Sequence, residues 1–284
     1  MRSSHLQALL TLLLLTLSAG CMSTYSPPGP VVPLFHNKGD LSIGANVRPA
    51  MPTRGANAYA AVAPSESTRA YVQGSFAHYD GLHAEDNSER KMNEMNHTRQ
   101  VEAAAGWGLS KGNFAVEAFA GLGYGRTDAN ACHRNFDING NYGVDCSLWI
   151  TSSSWFVQPF VQAHAGWRKS RFGGGGGGLR ASVLHYDFDQ LMGAPSDRVA
   201  NAVTLEPYLS GSIGLPWGKL ELSLMVPLVV SSPVVQYTRR YDDYYSQPSE
   251  QTWTARLIDT ASPRFTLGIR GDLHELWRKP QAPR

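Results

Sequence analysis

The chain has 284 residues, and its 25 Lys and Arg nearly balance 23 Asp and Glu, leaving a formal charge of +2. It contains no basic block and no Lys/Arg stripe interleaved with aromatics, so a nucleic-acid partner is not expected. The overall hydropathy is mildly polar, as in a soluble protein, but alternating membrane strands average to the same value.

The N-terminus carries Arg2 and then an apolar run from Leu6 to Leu17, interrupted only by Gln7, Thr11 and Thr16. A membrane helix needs about 20 apolar residues, so the run fits a signal-peptide core better than a span. Small residues follow, and then one of the three cysteines. The stretch Leu17-Ser18-Ala19-Gly20-Cys21 resembles the lipobox of bacterial lipoproteins, with Ser18 where that family prefers Leu. The resemblance implies a signal peptide over residues 1–20 and an acylated Cys21 as the first mature residue. With Met22 rather than Asp next, it also implies sorting to the outer membrane. Pro27, Pro28, Pro30 and Pro33 then forbid helix and favour an extended chain, read as a tether over residues 21–38.

From residue 39 onward period-two alternation replaces any helical period. Leu41, Ile43, Ala45 and Val47 alternate with Ser42, Gly44, Asn46 and Arg48. The pattern recurs in Arg69–Phe76, Gln100–Trp107, Phe114–Tyr124, Trp155–Trp167, Val203–Ile213, Lys219–Leu228 and Phe265–Leu273. Gly55–Ala63 and Leu179–Tyr186 are weaker members. This predicts about ten strands, each near the 9–11 residues that a tilted membrane strand needs. Ala63–Ser67, Ser110–Asn113 and Pro216–Lys219 read as tight turns, whereas Asp80–His97, Arg126–Ser152, Asp187–Asn201 and Ser231–Pro263 read as long polar loops. Only Pro49–Arg54 is short for its side.

Short turns at one end and long loops at the other predict an all-β fold: a closed antiparallel up-and-down transmembrane β-barrel over residues 39–275, with a tail over 276–284. An even strand number returns the C-terminus to the periplasmic side, where the lipid anchor is also expected. A soluble sandwich would alternate too. Against it, Trp107, Phe114 and Trp167 gather beside the short turns, and Tyr124, Trp155 and Phe265 beside the long loops, as two interfacial girdles would. The apolar faces also carry no charge.

The opposite faces hold Glu102, Glu117, Glu206, Glu221 and Asp272 against Arg48, Arg69, Arg180, Lys219 and Arg270, with His164. A barrel of about ten strands has little room inside, and unpaired buried charges are costly. A packed, ion-paired lumen is therefore expected rather than a selective pore, which would carry one dominant sign. Gly121, Gly123 and Gly125 fall on the lumen face, where they make room for bulky neighbours. The Gly173–Gly178 run lacks the Gly-Lys-Ser/Thr of a phosphate loop and reads as a flexible turn leading into a strand. Pro159 and Pro207, in the matching runs Gln-Pro-Phe-Val and Glu-Pro-Tyr-Leu, mark imperfectly paired positions.

Cys132 and Cys146 bracket a polar Asn/Gly/Asp segment, and in an oxidising compartment a disulfide is the simplest pairing. Their spacing does not suit a metal site, and no cofactor is expected. For rim catalysis the candidates are His78, Asp80, His83, His185 and Asp187, none at a distinctive spacing. Residues 39–275 resemble small outer-membrane β-barrel lipoproteins of Bacteroidetes-like bacteria. That resemblance implies a location and an architecture, with outer-membrane lipids as partners, and no substrate; the function class placed first is a non-enzymatic barrel with a structural or surface-recognition role. An unidentified extracellular ligand at the long loops, or a rim-active hydrolase or acyltransferase, are the further options.

Overall fold

The structure is a computed structural model that describes residues 27–48, 53–81, 94–136, 142–169, 173–191, 194–195, 198–215, 218–232, 234–241, 249–256 and 264–273. The strands are β1 (Leu41–Arg48), β2 (Thr53–Val62), β3 (Thr68–Gly81), β4 (Glu94–Lys111), β5 (Phe114–Phe136), β6 (Tyr142–Lys169) and β7 (Gly173–Leu191), followed by β8 (Ala194–Pro195), β9 (Val199–Leu215), β10 (Gly218–Met225), β11 (Leu228–Ser231), β12 (Val234–Tyr241), β13 (Ser249–Arg256) and β14 (Arg264–Asp272). Twelve of them form one sheet in the order β11-β9-β10-β14-β1-β2-β3-β4-β5-β6-β7-β8, and β9 pairs with β7 as well. That last pairing closes the sheet. β8 and β11 are short flanking ribbons, and the other ten strands make a closed antiparallel up-and-down barrel. The seam joins the first and last wall strands, with Ser42 opposite Asp272 and Val47 opposite Leu267.

The alternation decides which face is which. Val101, Leu122 and Val161 are 58%, 55% and 58% exposed, whereas Glu117 and Glu206 are fully buried. A water-soluble protein does the reverse. On β5 the apolar outward run extends from Phe114 to Tyr124. At about 3.3 Å per residue and a tilt near 40°, its height is about 25 Å, that of a membrane-barrel apolar band. Trp107, Phe114 and Trp167 face outward at the short-turn end, with Phe114 paired to Trp167. At the other end Tyr124 stacks on Trp155, centroids 5.3 Å apart, and Phe265 is exposed.

The long connections are shorter than their polar composition suggests. β5 and β6 run on to Phe136 and from Tyr142, so most of residues 126–152 is a hairpin; β3 and β4 reach Gly81 and Glu94; β7 and β9 reach Leu191 and Val199. Residues 231–263 contain the separate two-stranded ribbon β12–β13. Ladder hydrogen bonds need no apolar face, so strands continue past the band as polar ribbons, and polarity was a poor guide to where they stop. The glycine run is likewise strand and not turn: Gly174 to Gly178 pair with β6 on one side and β9 on the other. A Cβ on Gly178 would lie 2.6 Å from the Tyr208 hydroxyl, so the absence of a side chain admits that phenol. Pro159 and Pro207 sit at ladder interruptions. The β6–β7 ladder breaks between Val157–His185 and Phe160–Ser182. β10 stops at Met225 opposite Tyr208, and β11 resumes at Leu228 opposite Leu205.

The largest departure concerns the Pro-rich segment. Read as a tether outside the folded domain, it is extended, but residues 27–35 are buried within the barrel. Residues 36–40 then turn at the short-turn end, where Gly39 N donates to Ala63 O at 2.7 Å, and lead into β1. Residues 1–26 with Cys21, His83, and residues 274–284 lie outside the described residues, as do the side chains of Asp80, Cys132 and Cys146.

Candidate functional site: a filled lumen

An extended segment inside a barrel has no strand beside it, so its backbone groups must find other partners. The wall supplies them. Pro27 O accepts from Arg48 Nη2 and from Arg264 Nη1 (3.2 Å). Gly29 O accepts from Gln73 Nε2 at 3.1 Å, Val31 O from Gln162 Nε2 at 2.9 Å, and Val32 O from Arg270 Nη1 at 3.1 Å. Phe35 O accepts from Arg69 Nη2 at 3.4 Å and His36 O from Ser110 Oγ at 3.0 Å. The prolines now have a physical role. Having no N–H, each brings one donor fewer into a space with few acceptors.

Two successive amides of the segment share one acceptor. Leu34 N donates to Glu117 Oε2 at 3.0 Å and Phe35 N to Glu117 Oε1 at 2.8 Å. Leu34 has φ 49°, a left-handed conformation uncommon for a bulky residue. It turns two successive N–H groups toward one anion, the geometry of a backbone nest. The segment's side chains pack as well. Val31 and Phe35 join Tyr59, Tyr71, Phe119 and Phe160 in one apolar cluster; Val32 and Leu34 join Ala115, Tyr208 and Met225 in another. A third cluster, around Phe156, Leu184, Tyr186 and Phe188, lies toward the long-loop end of β6 and β7.

The inward charges fall into three groups, each with both signs. Glu117 meets Arg69 Nε at 3.2 Å and His164 Nε2 at 2.8 Å, and His164 Nδ1 meets Tyr208 Oη at 3.1 Å. Arg180 bridges Glu102, with Nη1 to Oε2 at 3.0 Å, and Glu206 at 3.5 Å, and its guanidinium lies 3.8 Å from the Phe160 ring centre. Asp272 meets Arg168 at 2.9 Å, Lys219 at 2.6 Å and Arg270 at 3.3 Å, while Arg270 also meets Glu221 at 2.6 Å. Tyr59 Oη donates to Glu221 at 3.0 Å. Arg48 stands apart from these groups, at Pro27. Sequence reasoning missed Arg168 and Tyr59. Arg168 is four residues beyond His164 and so shares its face, a signal masked by the adjacent Trp167 and Lys169. The lumen glycines are spoken for: a Cβ on Gly121 would lie 2.4 Å from Phe160 Cζ, and one on Gly125 2.5 Å from Phe156 Cζ.

Among the described side chains, the rim candidates His78, His185 and Asp187 are not brought together. His78 Nδ1 meets His97 Nδ1 at 3.0 Å and His185 meets Asn201, both on outward faces. Neither contact is the His–Asp or His–Ser pair that a rim nucleophile needs. Asp187 is exposed. Among the described residues no three His, Cys, Asp or Glu cluster as a metal site would.

No family model matches the chain, and no curated protein matches it. Among solved structures, the translocator domain of the autotransporter NalP from Neisseria meningitidis is similar at 13% identity and a TM-score of 0.43, over 84% of this chain and 90% of that one. The pairing ladder of this chain defines its barrel without that likeness.

Proposed function

We propose that the protein is an outer-membrane barrel lipoprotein whose lumen is closed by its own N-terminal segment and ion pairs, with a structural or surface-recognition role and no catalysis in the lumen. One observation carries this reading: the charged face is buried and neutralised while the apolar face is bare over the height of a bilayer core. Among the described residues, the charged side chains at mid-lumen are engaged with the segment or with an opposite charge, which favours a closed interior over conduction. Recognition then falls to the long-loop end. There the ribbon β12–β13 sets Tyr237 opposite Trp253 in a run that also carries Arg239 and Arg240, residue types frequent at binding surfaces. The β5–β6 ladder sets Cys132 opposite Trp149, three residues from Cys146, so the disulfide expected between Cys132 and Cys146 would require that end of the hairpin to shift register; the alkylation mass shift with and without reductant checks it.

The test is fractionation followed by reconstitution. The mature protein should require detergent for release from membranes and should give no stepwise conductance in planar bilayers. Recovery as detergent-free periplasmic material would refute the membrane assignment, and porin-like conductance steps would refute the closed lumen.

A further inference from the structure

We infer that the chain preceding Pro27 leaves the barrel at the long-loop end, so that acyl groups on Cys21 enter the cell-surface leaflet and not the periplasmic one. This rests on the outer-membrane lipoprotein reading above and reverses the side on which a signal-sequence argument sets the anchor.

The direction of the inner segment is fixed by its contacts. His36 is held by Ser110, two residues before the β4–β5 turn, and Gly39 by Ala63 at the β2–β3 turn. Both belong to the short-turn end. Pro27 is held by Arg48, the last residue of β1, and by Arg264, the first of β14. Both belong to the long-loop end. Residues 27–35 therefore run from the long-loop end to the short-turn end, and β1 runs back.

Reach then decides the leaflet. Cys21 lies six positions before Pro27. Six residues span at most about 20 Å when fully extended. To reach the opposite leaflet from Pro27 they would have to recross a hydrocarbon core of about 25–30 Å, past a lumen already filled, or along the lipid face with bare backbone. Neither path is open. The near leaflet is within reach, and in a barrel with short periplasmic turns it is the outer one.

The experiment uses the full-length acylated protein in cells, with Cys132 and Cys146 replaced by serine. Single cysteines are placed by Ser26→Cys, by Ser246→Cys between β12 and β13, and by Asn113→Cys in the β4–β5 turn, and are treated with a membrane-impermeant maleimide. Ser26→Cys and Ser246→Cys should label fully on intact cells, and Asn113→Cys only after permeabilisation. Ser23→Cys should follow Ser26→Cys and covers poor expression of either variant. If the Ser26 and Ser23 variants label with Asn113 while Ser246 stays surface-reactive, the exit is overturned and the membrane reading stands. If Ser246 also fails to label on intact cells, the outer-membrane orientation itself is overturned.

Discussion

Glu117 accepts from two amides of the inner segment and from two side chains, Arg69 and His164, all buried. Glu117→Gln keeps the shape and removes the charge, leaving Arg69 buried without its anion. Breaking such a pair costs about 3–5 kcal/mol. The folded, heat-modifiable band in unheated SDS gels should be lost at a clearly lower temperature than in the parent. Adding Arg69→Met should recover part of the loss, and the double-mutant cycle measures how much. His36, at the turn below, has its pKa lowered by burial first and then by the Arg168 cation, against the opposing pull of Asp40 and Glu117. The neutral ring is thus the form that fits. Its contribution is complete above the ordinary value of 6.5 and is lost as pH falls below it toward the lowered value. Protection factors at residues 36–40, with exchange referred to the intrinsic rate at each pH, should be lower at pH 5 than at pH 7.5, and His36→Gln should flatten the difference. At this scale the sequence showed which residues face inward but not which charges meet. Arg168 and Asp272 are 104 residues apart, and only ring closure brings them together.

At the scale of elements, the alternation of β1, β5 and β9 was legible because one face meets lipid and the other does not. The fate of the Pro-rich segment was not. Its prolines dictate an extended chain, yet its partners Gln73 and Gln162 lie on β3 and β6, far apart in sequence, and no local period signals a guest in the lumen. Deleting residues 27–35 removes the occupant and leaves the wall. The barrel should still require detergent, but planar-bilayer recordings should now show discrete conductance steps. The glycines of the wall offer a contrast. Gly121→Leu drives a side chain into Phe160 and should cost about 1–3 kcal/mol by overpacking. Gly74→Ala, on the outward face with nothing within 4 Å, should change stability by less than about 0.5 kcal/mol. Urea unfolding in detergent micelles compares the two.

For the molecule as a whole, the bilayer is the second half of the core. Ala120 faces outward midway along the Phe114–Tyr124 band. Ala120→Arg should cost about 2–4 kcal/mol and Asn113→Arg, at the turn, at most about 1 kcal/mol, measured as folding yield into liposomes against urea. The same arginine in a water-soluble sandwich would show no such dependence on height.

The wall closes where β14 meets β1, and residues 27–35 stand immediately before β1 in the chain. On the proposed acylation of Cys21, a finished ring could not admit a segment whose leading end bears fatty chains and whose trailing end is already sewn into the rim. Occupancy must therefore precede enclosure: the ribbon wraps its own beginning, and the final stitch between the two terminal staves locks that beginning in place.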